Sequence, residues 1–386
     1  MIDTSLFLII ALILLSTKAL AIFMKTIHMP QVIGALVAGV LLGPAVFNLV
    51  QPSETISVIA EFGVVLLLFT AGMETDFRLL RSSLKPSLLI STIGIIVALG
   101  GGFAAAFLFG KPSFESFFIG VVIASMSTSI TVEALSEMGK LKTRAGTAIL
   151  GASLFDDIFV IIILAVTMGM GSAGFSIVSL ALILLKIVIF FAIASVGGFL
   201  VNKLFNWSYG RFGEKKRLSV FAIAYCFLMA YLAERMGLAD ITGAYIAGIA
   251  FCSTRCVEYL ETKTHSLSYL FFTPVFLANI GLHTSFDGMT SSLIIFTFVL
   301  VGVAVLSKVI GCGLGAKICK FTNRETMQVG VGMIARGEVS FIVASKGIAA
   351  GYLSSLIFPS IIVVVLITVF ITPLLLKAAF SGTPDQ

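Results

Sequence analysis

The sequence predicts an all-α polytopic membrane protein, and three observations support that class. The chain has 386 residues, of which 59% are hydrophobic and only 11% charged, and its mean hydropathy is +1.13. A soluble protein carries about a quarter charged residues, so this chain cannot cover an aqueous surface. Its apolar residues fall in stretches of about 20, the length of a helix that crosses a bilayer. The net charge of +6 is spread over short loops, which argues against a nucleic-acid-binding domain.

Thirteen transmembrane helices follow from the alternation of apolar stretches with short polar or basic breaks. The predicted spans are residues 4–24, 30–49, 54–73, 86–109, 114–138, 145–169, 176–204, 217–234, 240–254, 266–283, 289–316, 325–348 and 353–379. Lysine and arginine collect on cytoplasmic loops. An outside N-terminus leaves only Lys111 and Arg235 on outer loops. The sequence therefore predicts an outside N-terminus and a cytoplasmic C-terminus.

Two aspartates, Asp156 and Asp157, stand side by side in the middle of the sixth span, GASLFDDIFVIIILAV. A carboxylate at the bilayer centre costs about 2.5–3.5 kcal/mol to insert, and adjacent helical residues point about 100° apart. A purely structural role, such as bridging to neighbouring helices, is the alternative. We favour a binding site, because either a proton or a small cation with oxygen ligands would cancel the buried charge. Competition for one carboxylate would then produce exchange of the two ions.

Lys308 is a third ionisable residue inside a span, in the eleventh segment VGVAVLSKVIGCGLGAK. Extension of the side chain to the inner surface is the alternative to burial. Several apolar residues separate Lys308 from Lys317, so we expect a buried ammonium with an aspartate of the pair as its counter-charge.

Two spans contain residues that favour interrupted helices. The fifth span has a run of hydroxyl side chains that includes Ser127, Thr128, Ser129 and Thr131. The twelfth, GVGMIARGEVSFIV, has glycines around Arg336 and Glu338. Ordinary packing of small residues is the alternative for either span alone. Together they predict inverted repeats, spans 1–6 and 8–13, with two crossing discontinuous helices at mid-membrane.

The sequence contains neither a nucleotide-binding loop nor a Ser-His-Asp set, so we expect a transporter and not an enzyme. Cys252 and Cys256 have only His265 nearby, which is too few ligands for a zinc site. We therefore expect no cofactor and no structural metal.

Five segments resemble the cation:proton antiporter-2 family of bacterial sodium/proton antiporters, most of all its short NapA and GerN types. The segments are MPQVIGALVAGVLLGP, STSIT, GASLFDDIFVIIILA, SKVIGC and GMIARGEVSFIV. The double aspartate with a downstream membrane lysine is the specific part, and the resemblance covers nearly the whole chain.

The resemblance implies a role for each site residue. Asp157 would carry the cation and the protons, while Asp156 would form a salt bridge with Lys308 that breaks when the cation binds. Ser127 and Thr131 match polar positions of the first unwound helix, and Glu338 matches an acid of the second. The implied setting is a homodimer in the bacterial inner membrane, in contact with lipid.

The resemblance also implies a division of the chain. Dimerisation and scaffold helices would comprise residues 1–84 and 213–285, and the transport core would comprise residues 85–170 and 286–386. Residues 171–212 would form a linker helix. The core would move past the scaffold like an elevator.

One position departs from the pattern. The NapA type has an arginine after its first unwound helix, whereas this chain has Glu133, which cannot make the same ion pair with Glu338. Arg336 or a nearby lysine would have to compensate. The potassium-efflux relatives carry glutamine and aspartate in place of the adjacent aspartates, so the resemblance to that subgroup is weaker.

The sequence therefore predicts a secondary antiporter that exchanges cytoplasmic sodium, and also lithium, for external protons. The resemblance of the double aspartate to that of similar antiporters implies about two protons per cation and hence electrogenic transport. Potassium/proton exchange can use the same residue types and stays open as an alternative. A cation sensor or scaffold in a signalling complex is an alternative from a different class.

Overall fold

The computed structural model describes residues 5–27, 29–171, 177–212, 215–284 and 291–381, and within these ranges the chain forms helices and no strand. The helices are α1 (Ser5–Thr26), α2 (Gln31–Leu42), α3 (Glu54–Glu74), α4 (Phe77–Leu108), α5 (Ser113–Ala124), α6 (Thr128–Glu137), α7 (Arg144–Gly171), α8 (Ile177–Phe212), α9 (Lys215–Arg235), α10 (Asp240–Phe251), α11 (Val257–Leu267), α12 (Thr273–Leu282), α13 (Ser291–Ile318), α14 (Asn323–Gly332), α15 (Glu338–Ala349) and α16 (Phe358–Phe380). A π-helical segment, Ser268–Phe272, joins α11 to α12. A 3-10 turn, Ser355–Ile357, precedes α16.

The predicted all-α membrane architecture is confirmed. Among the described residues, ten helical segments are long and apolar enough to cross a bilayer, and three further apolar helices are shorter. Each predicted span coincides with one of these thirteen segments. Two helices begin nine residues before the predicted span: α4 begins at Phe77 rather than at residue 86, and α11 begins at Val257 rather than at residue 266. The carboxylate of Asp76 accepts hydrogen bonds from the backbone N–H groups of Arg78 and Leu79, so the polar segment before the membrane is already helical.

Both predicted interruptions are present and they meet each other. The first lies between α5 and α6, and the second lies between α14 and α15. The N–H of Ser127 donates to the carbonyl oxygen of Ala335 at 2.8 Å, and the Thr131 hydroxyl donates to the carbonyl oxygen of Gly332 at 2.8 Å. Backbone groups that the broken helices leave unpaired are therefore satisfied at the crossing, as the apolar surroundings require.

The helices pack in two groups. The crossover group comprises α4–α7 and α13–α16, in which α4 packs along α5, α7 and α13, and α13 packs on α14 and α16. The flanking group comprises α1–α3 and α9–α12, in which α3 packs on α10 and α12, and α2 packs on α1 and α12. Helix α8 contacts α7, α9 and α10.

The contacts between helices have the symmetry of the predicted inverted repeat. If the second repeat begins at α9, α2 corresponds to α10 and α3 corresponds to the α11–α12 segment. The operation that relates the two repeats then converts the helix pair α2–α12 into the pair α10–α3, and it maps the pair α4–α13 onto itself. All three pairs are in close contact. Small residues permit the approach: a Cβ at Gly39 would lie 2.1 Å from the carbonyl oxygen of Ala278 in α12.

Candidate ion-binding site

The centre of the crossover group contains a buried ion pair between Asp156 of α7 and Lys308 of α13. Both side chains are 0% exposed, and the Lys308 Nζ donates to Asp156 Oδ2. The other carboxylate oxygen, Oδ1, accepts a 2.6 Å hydrogen bond from the Ser91 hydroxyl of α4. Both oxygens of Asp156 thus have a donor, which is what a charge buried in an apolar bundle requires.

Asp157 points away from that ion pair, toward the flanking group. It is 4% exposed, and its Oδ2 accepts a 3.3 Å hydrogen bond from the Thr242 hydroxyl at the start of α10. The two neighbouring aspartates therefore have different partners, because consecutive helical residues point in different directions.

Asp157 lines two cavities of very different size. The small one has a volume of about 10 Å³ and includes Thr128, Ser153, Thr242 and Tyr245 among its lining residues. That volume accommodates one water molecule or one ion. The Thr128 hydroxyl is buried and has no hydrogen-bond partner among the described residues. Polar oxygens from α6, α7 and α10 thus surround a space next to the carboxylate.

The large cavity has a volume of about 990 Å³ and extends from Asp157 to the α9–α10 loop and the C-terminal end of α15, whose residues also line it. Five further charged residues line this cavity: Glu61, Lys186, Glu234, Asp240 and Lys346.

The four predicted hydroxyl residues lie in two places, beside Asp157 or where the two interrupted helices cross. Thr128 shares the small cavity with Asp157. The hydroxyls of Ser127 and Ser129 lie 3.2 Å apart, and Thr131 bonds to the backbone of the other broken helix. Ser127, through its backbone N–H, and Thr131 therefore bond to the other broken helix, and Thr128 alone of the four lines this cavity in the described part of the chain.

Arg336 lies in the break between α14 and α15 and is 1% exposed. Its Nη1 donates to the carbonyl oxygens of Met333 (3.2 Å) and Ile334 (2.7 Å), and its Nη2 donates to that of Ala304 in α13 (2.9 Å). The guanidinium thus caps the negative C-terminal end of the half-helix α14. Glu338 begins α15, but its side chain lies outside the described residues.

Glu133 lies apart from this arginine. It lines another cavity, of about 530 Å³, together with Lys18, Glu137 and His265. The Arg336 guanidinium bonds to backbone carbonyls. Compensation by Arg336 or a nearby lysine for the ion pair missing at Glu338 stays a prediction, because the Glu338 side chain lies outside the described residues.

Sequence reasoning missed two hydroxyl residues of this site, Ser91 and Thr242. Isolated serines and threonines are common in membrane helices, where most donate to the carbonyl four residues earlier. Nothing in the sequence distinguishes these two from Thr70 or Thr372, which do so. Only the packing of α4 and α10 against α7 reveals their contacts with the aspartates.

Interrupted helices that cross beside a buried ion pair, within a bundle of membrane-length helices, define a secondary ion transporter. The fold is similar to that of MjNhaP1, a sodium proton antiporter from Methanocaldococcus jannaschii. One structure of MjNhaP1 gives a TM-score of 0.71 and another gives 0.75, both at 16% identity. They cover 97% and 99% of this chain, and 96% and 97% of the MjNhaP1 chains. Residues 9–381 match the family model described as sodium/hydrogen exchanger, transmembrane. The chain belongs to this family, and it is a transporter and not an enzyme.

Relatives agree with the resemblance that the motifs indicate, and two of them have nearly the same length as this chain. The Na⁺/H⁺-K⁺ antiporter GerN of Bacillus cereus is 38% identical over 378 residues, which is 98% of this chain and 96% of GerN. A Na⁺/H⁺ antiporter of Enterococcus hirae is 33% identical over 375 residues, 96% of each chain. The K⁺/H⁺ antiporter 1 of Saccharomyces cerevisiae is 28% identical over 97% of this chain and 46% of its own length.

Proposed function

We propose that this protein exchanges sodium, and also lithium, for protons, with Asp157 as the group for which the ions compete. The observation that carries the proposal is the position of this carboxylate, buried beside the hydroxyls of Thr128 and Thr242 and lining a cavity of about 990 Å³. A proton or a cation would neutralise it, but the two cannot occupy the same oxygen together. Binding of one ion therefore requires release of the other, and that is antiport.

The ion pair beside Asp157 gives a route to electrogenic exchange. With protons bound, Asp157 is neutral and the Asp156–Lys308 pair sums to zero charge. If a cation instead binds Asp157 and Lys308 loses its proton, the same three side chains and the cation carry one negative charge. A full cycle would then move two protons against one cation, with one net charge crossing the membrane.

We further propose that the crossover group is the moving transport core and that the flanking group is the scaffold of a homodimer. The boundary then falls at the start of α4, and α8 links the halves. Polar contacts between described residues join the groups, among them those of Thr242 with Asp157 and of Glu137 in α6 with the N-terminus of α2. Glu137 accepts from the N–H groups of Gln31 (2.7 Å) and Val32 (3.3 Å). An elevator movement of the core would break both contacts.

The orientation predicted from the basic loops places the large cavity on the outside. The loop between α9 and α10, which lines this cavity, follows a span that runs outward in that orientation. The structure would thus represent a state in which Asp157 is accessible from outside, in a multi-pass protein of the bacterial inner membrane.

Purified protein in liposomes with an acidic interior tests this proposal. Collapse of the pH gradient would be followed on addition of sodium, lithium, potassium or rubidium between about pH 6 and pH 9, where acids tuned by burial can titrate. We expect wild-type protein to respond to sodium and lithium, and Asp157→Asn to give no response. Asp76→Asn, an exposed cap of α4, is the matched control, because asparagine is an equally good N-cap. Full activity of Asp157→Asn would refute the site.

Potassium/proton exchange is the second candidate function, and the names of two relatives favour it. GerN is a Na⁺/H⁺-K⁺ antiporter, and the yeast relative is a K⁺/H⁺ antiporter. The same vesicles discriminate, because a half-maximal potassium concentration below that for sodium would establish potassium as the preferred ion.

A further inference from the structure

The flanking group contributes one side chain to the proposed ion site. Thr242, in the first turn of α10, is 2% exposed and its hydroxyl contacts Asp157 Oδ2 at 3.3 Å. Helix α10 packs on α3 and α9, whereas α7 packs on α4 and α14. The hydrogen bond therefore crosses from one packing group to the other.

The position of Thr242 in its helix explains why its hydroxyl reaches across. Threonines inside the helices, such as Thr70 and Thr372, donate to the carbonyl oxygen four residues earlier. Thr242 is the third residue of α10, so the residue four positions earlier precedes the helix. The hydroxyl has no helical carbonyl to bond and is available to a partner on α7.

Thr242 and Thr128 face the same small cavity. They belong to different groups, since Thr128 begins α6 and its buried hydroxyl (6% exposed) has no partner among the described residues. A hydroxyl has one donor and two lone pairs, so each can turn a lone pair toward a cation that Asp157 holds. The cavity of about 10 Å³ leaves room for one such ion between them.

We propose that Thr242 is an oxygen ligand of the transported cation in the state in which Asp157 faces the large cavity, and in that state alone. The inference rests on the proposed function, because it takes Asp157 as the carrier group and the crossover group as the moving part. Thr128 and Asp157 travel with the core and would serve the ion on both sides of the membrane. Thr242 stays behind with α10. Its contribution must therefore be one-sided.

The experiment measures sodium-dependent proton movement from each face separately. Right-side-out and inverted vesicles would be prepared from a bacterial host that lacks its own sodium/proton antiporters. The variants are Thr242→Val, which keeps the shape and loses the hydroxyl, Thr242→Ser, which keeps the hydroxyl, and Thr128→Val as the matched change in the core.

We expect Thr242→Val to raise the half-maximal sodium concentration about tenfold at the outer face, the order of magnitude of one lost polar contact, and to leave the inner face unchanged. Thr242→Ser should stay within about twofold of wild type, because it restores the hydroxyl. Thr128→Val should raise the value at both faces. The serine variant also keeps the test valid if the valine variant fails to fold.

An equal change at both faces in Thr242→Val, or no change at either face, would overturn the inference. The inference would also be overturned if Thr242→Ser raised the half-maximal sodium concentration at the outer face as much as a folded Thr242→Val does. Asp157→Asn in the same vesicles separates this failure from failure of the proposed function. If Asp157→Asn abolishes exchange while Thr242→Val shows no sidedness, the inference alone is wrong. If Asp157→Asn exchanges normally, the proposed function is wrong.

Discussion

Replacing Lys308 by glutamine should destabilise the protein strongly, because it leaves the Asp156 carboxylate buried with one donor fewer. Both partners are 0% exposed, so water cannot replace the lost ammonium. Breaking a buried pair by removing one partner costs about 3–5 kcal/mol. The Ser91 hydroxyl still donates to the second oxygen at 2.6 Å, so we place Lys308→Gln near the lower end of that range.

The double variant Asp156→Asn/Lys308→Gln separates the charge effect from the loss of packing. Asp156→Asn alone leaves a buried ammonium without its carboxylate and should be costly too. With both changes the site contains two neutral amides that can hydrogen-bond to each other. The double variant should therefore be more stable than Lys308→Gln, although it carries one substitution more.

The measurement is the free energy of unfolding from a reversible SDS titration in mixed micelles. Wild type, the two single variants and the double variant would be compared under one condition. Lys25→Gln, at the exposed end of α1, is the matched control and should change stability by less than about 0.5 kcal/mol. If the costs of the two single variants simply add in the double variant, the two side chains are not coupled. That outcome would refute the buried pair as the stabilising contact.

Three further changes follow from individual contacts. Ser91→Ala should lower the free energy of unfolding by about 1.5–3 kcal/mol, because a hydrogen bond to a charged group is lost; the same titration measures it. Gly39→Ala should destabilise by about 1–3 kcal/mol, since its Cβ would lie 2.1 Å from the carbonyl oxygen of Ala278. Gly100→Ala should be neutral or stabilising by about 0.5–1 kcal/mol, because nothing lies within 4 Å of that Cβ in α4.

Each of these substitutions can be compared with a matched substitution elsewhere in the chain. Ser87→Ala removes a neutral hydrogen bond of 3.2 Å to the carbonyl oxygen of Ala148 and should cost less than Ser91→Ala, about 0.5–1.5 kcal/mol. Equal costs for the two serines would contradict a charge-assisted bond at Ser91. Gly39→Ala and Gly100→Ala control each other, and equal stability of the two would mean that α2 and α12 do not pack as closely as the structure shows.

The interruptions could be predicted because their cause is local. Hydroxyl side chains around Thr128 compete for backbone hydrogen bonds, and glycines around Arg336 weaken the helix. Residues next to each break are therefore sufficient to predict it. The partners of the polar groups at each break, in contrast, lie far away in the sequence. The Arg336 guanidinium donates to the carbonyl oxygen of Ala304 on α13, 32 residues away. A local sequence pattern cannot predict that contact, because it depends on how α13 packs.

The sequence by itself determined that the chain crosses the membrane many times and that a few ionisable residues lie at mid-membrane. Hydropathy fixes the former, because an apolar stretch of membrane length has no stable alternative, and the cost of burying charge makes Asp156, Asp157 and Lys308 conspicuous. The resemblance already implied the pair of Asp156 with Lys308, which the structure contains. Only the tertiary structure decided that Ser91 also bonds to Asp156 while Asp157 contacts Thr242 and lines a large cavity. The physical reason is that a single helix turns its neighbouring side chains in different directions, and the helices that happen to pack on each face select their partners.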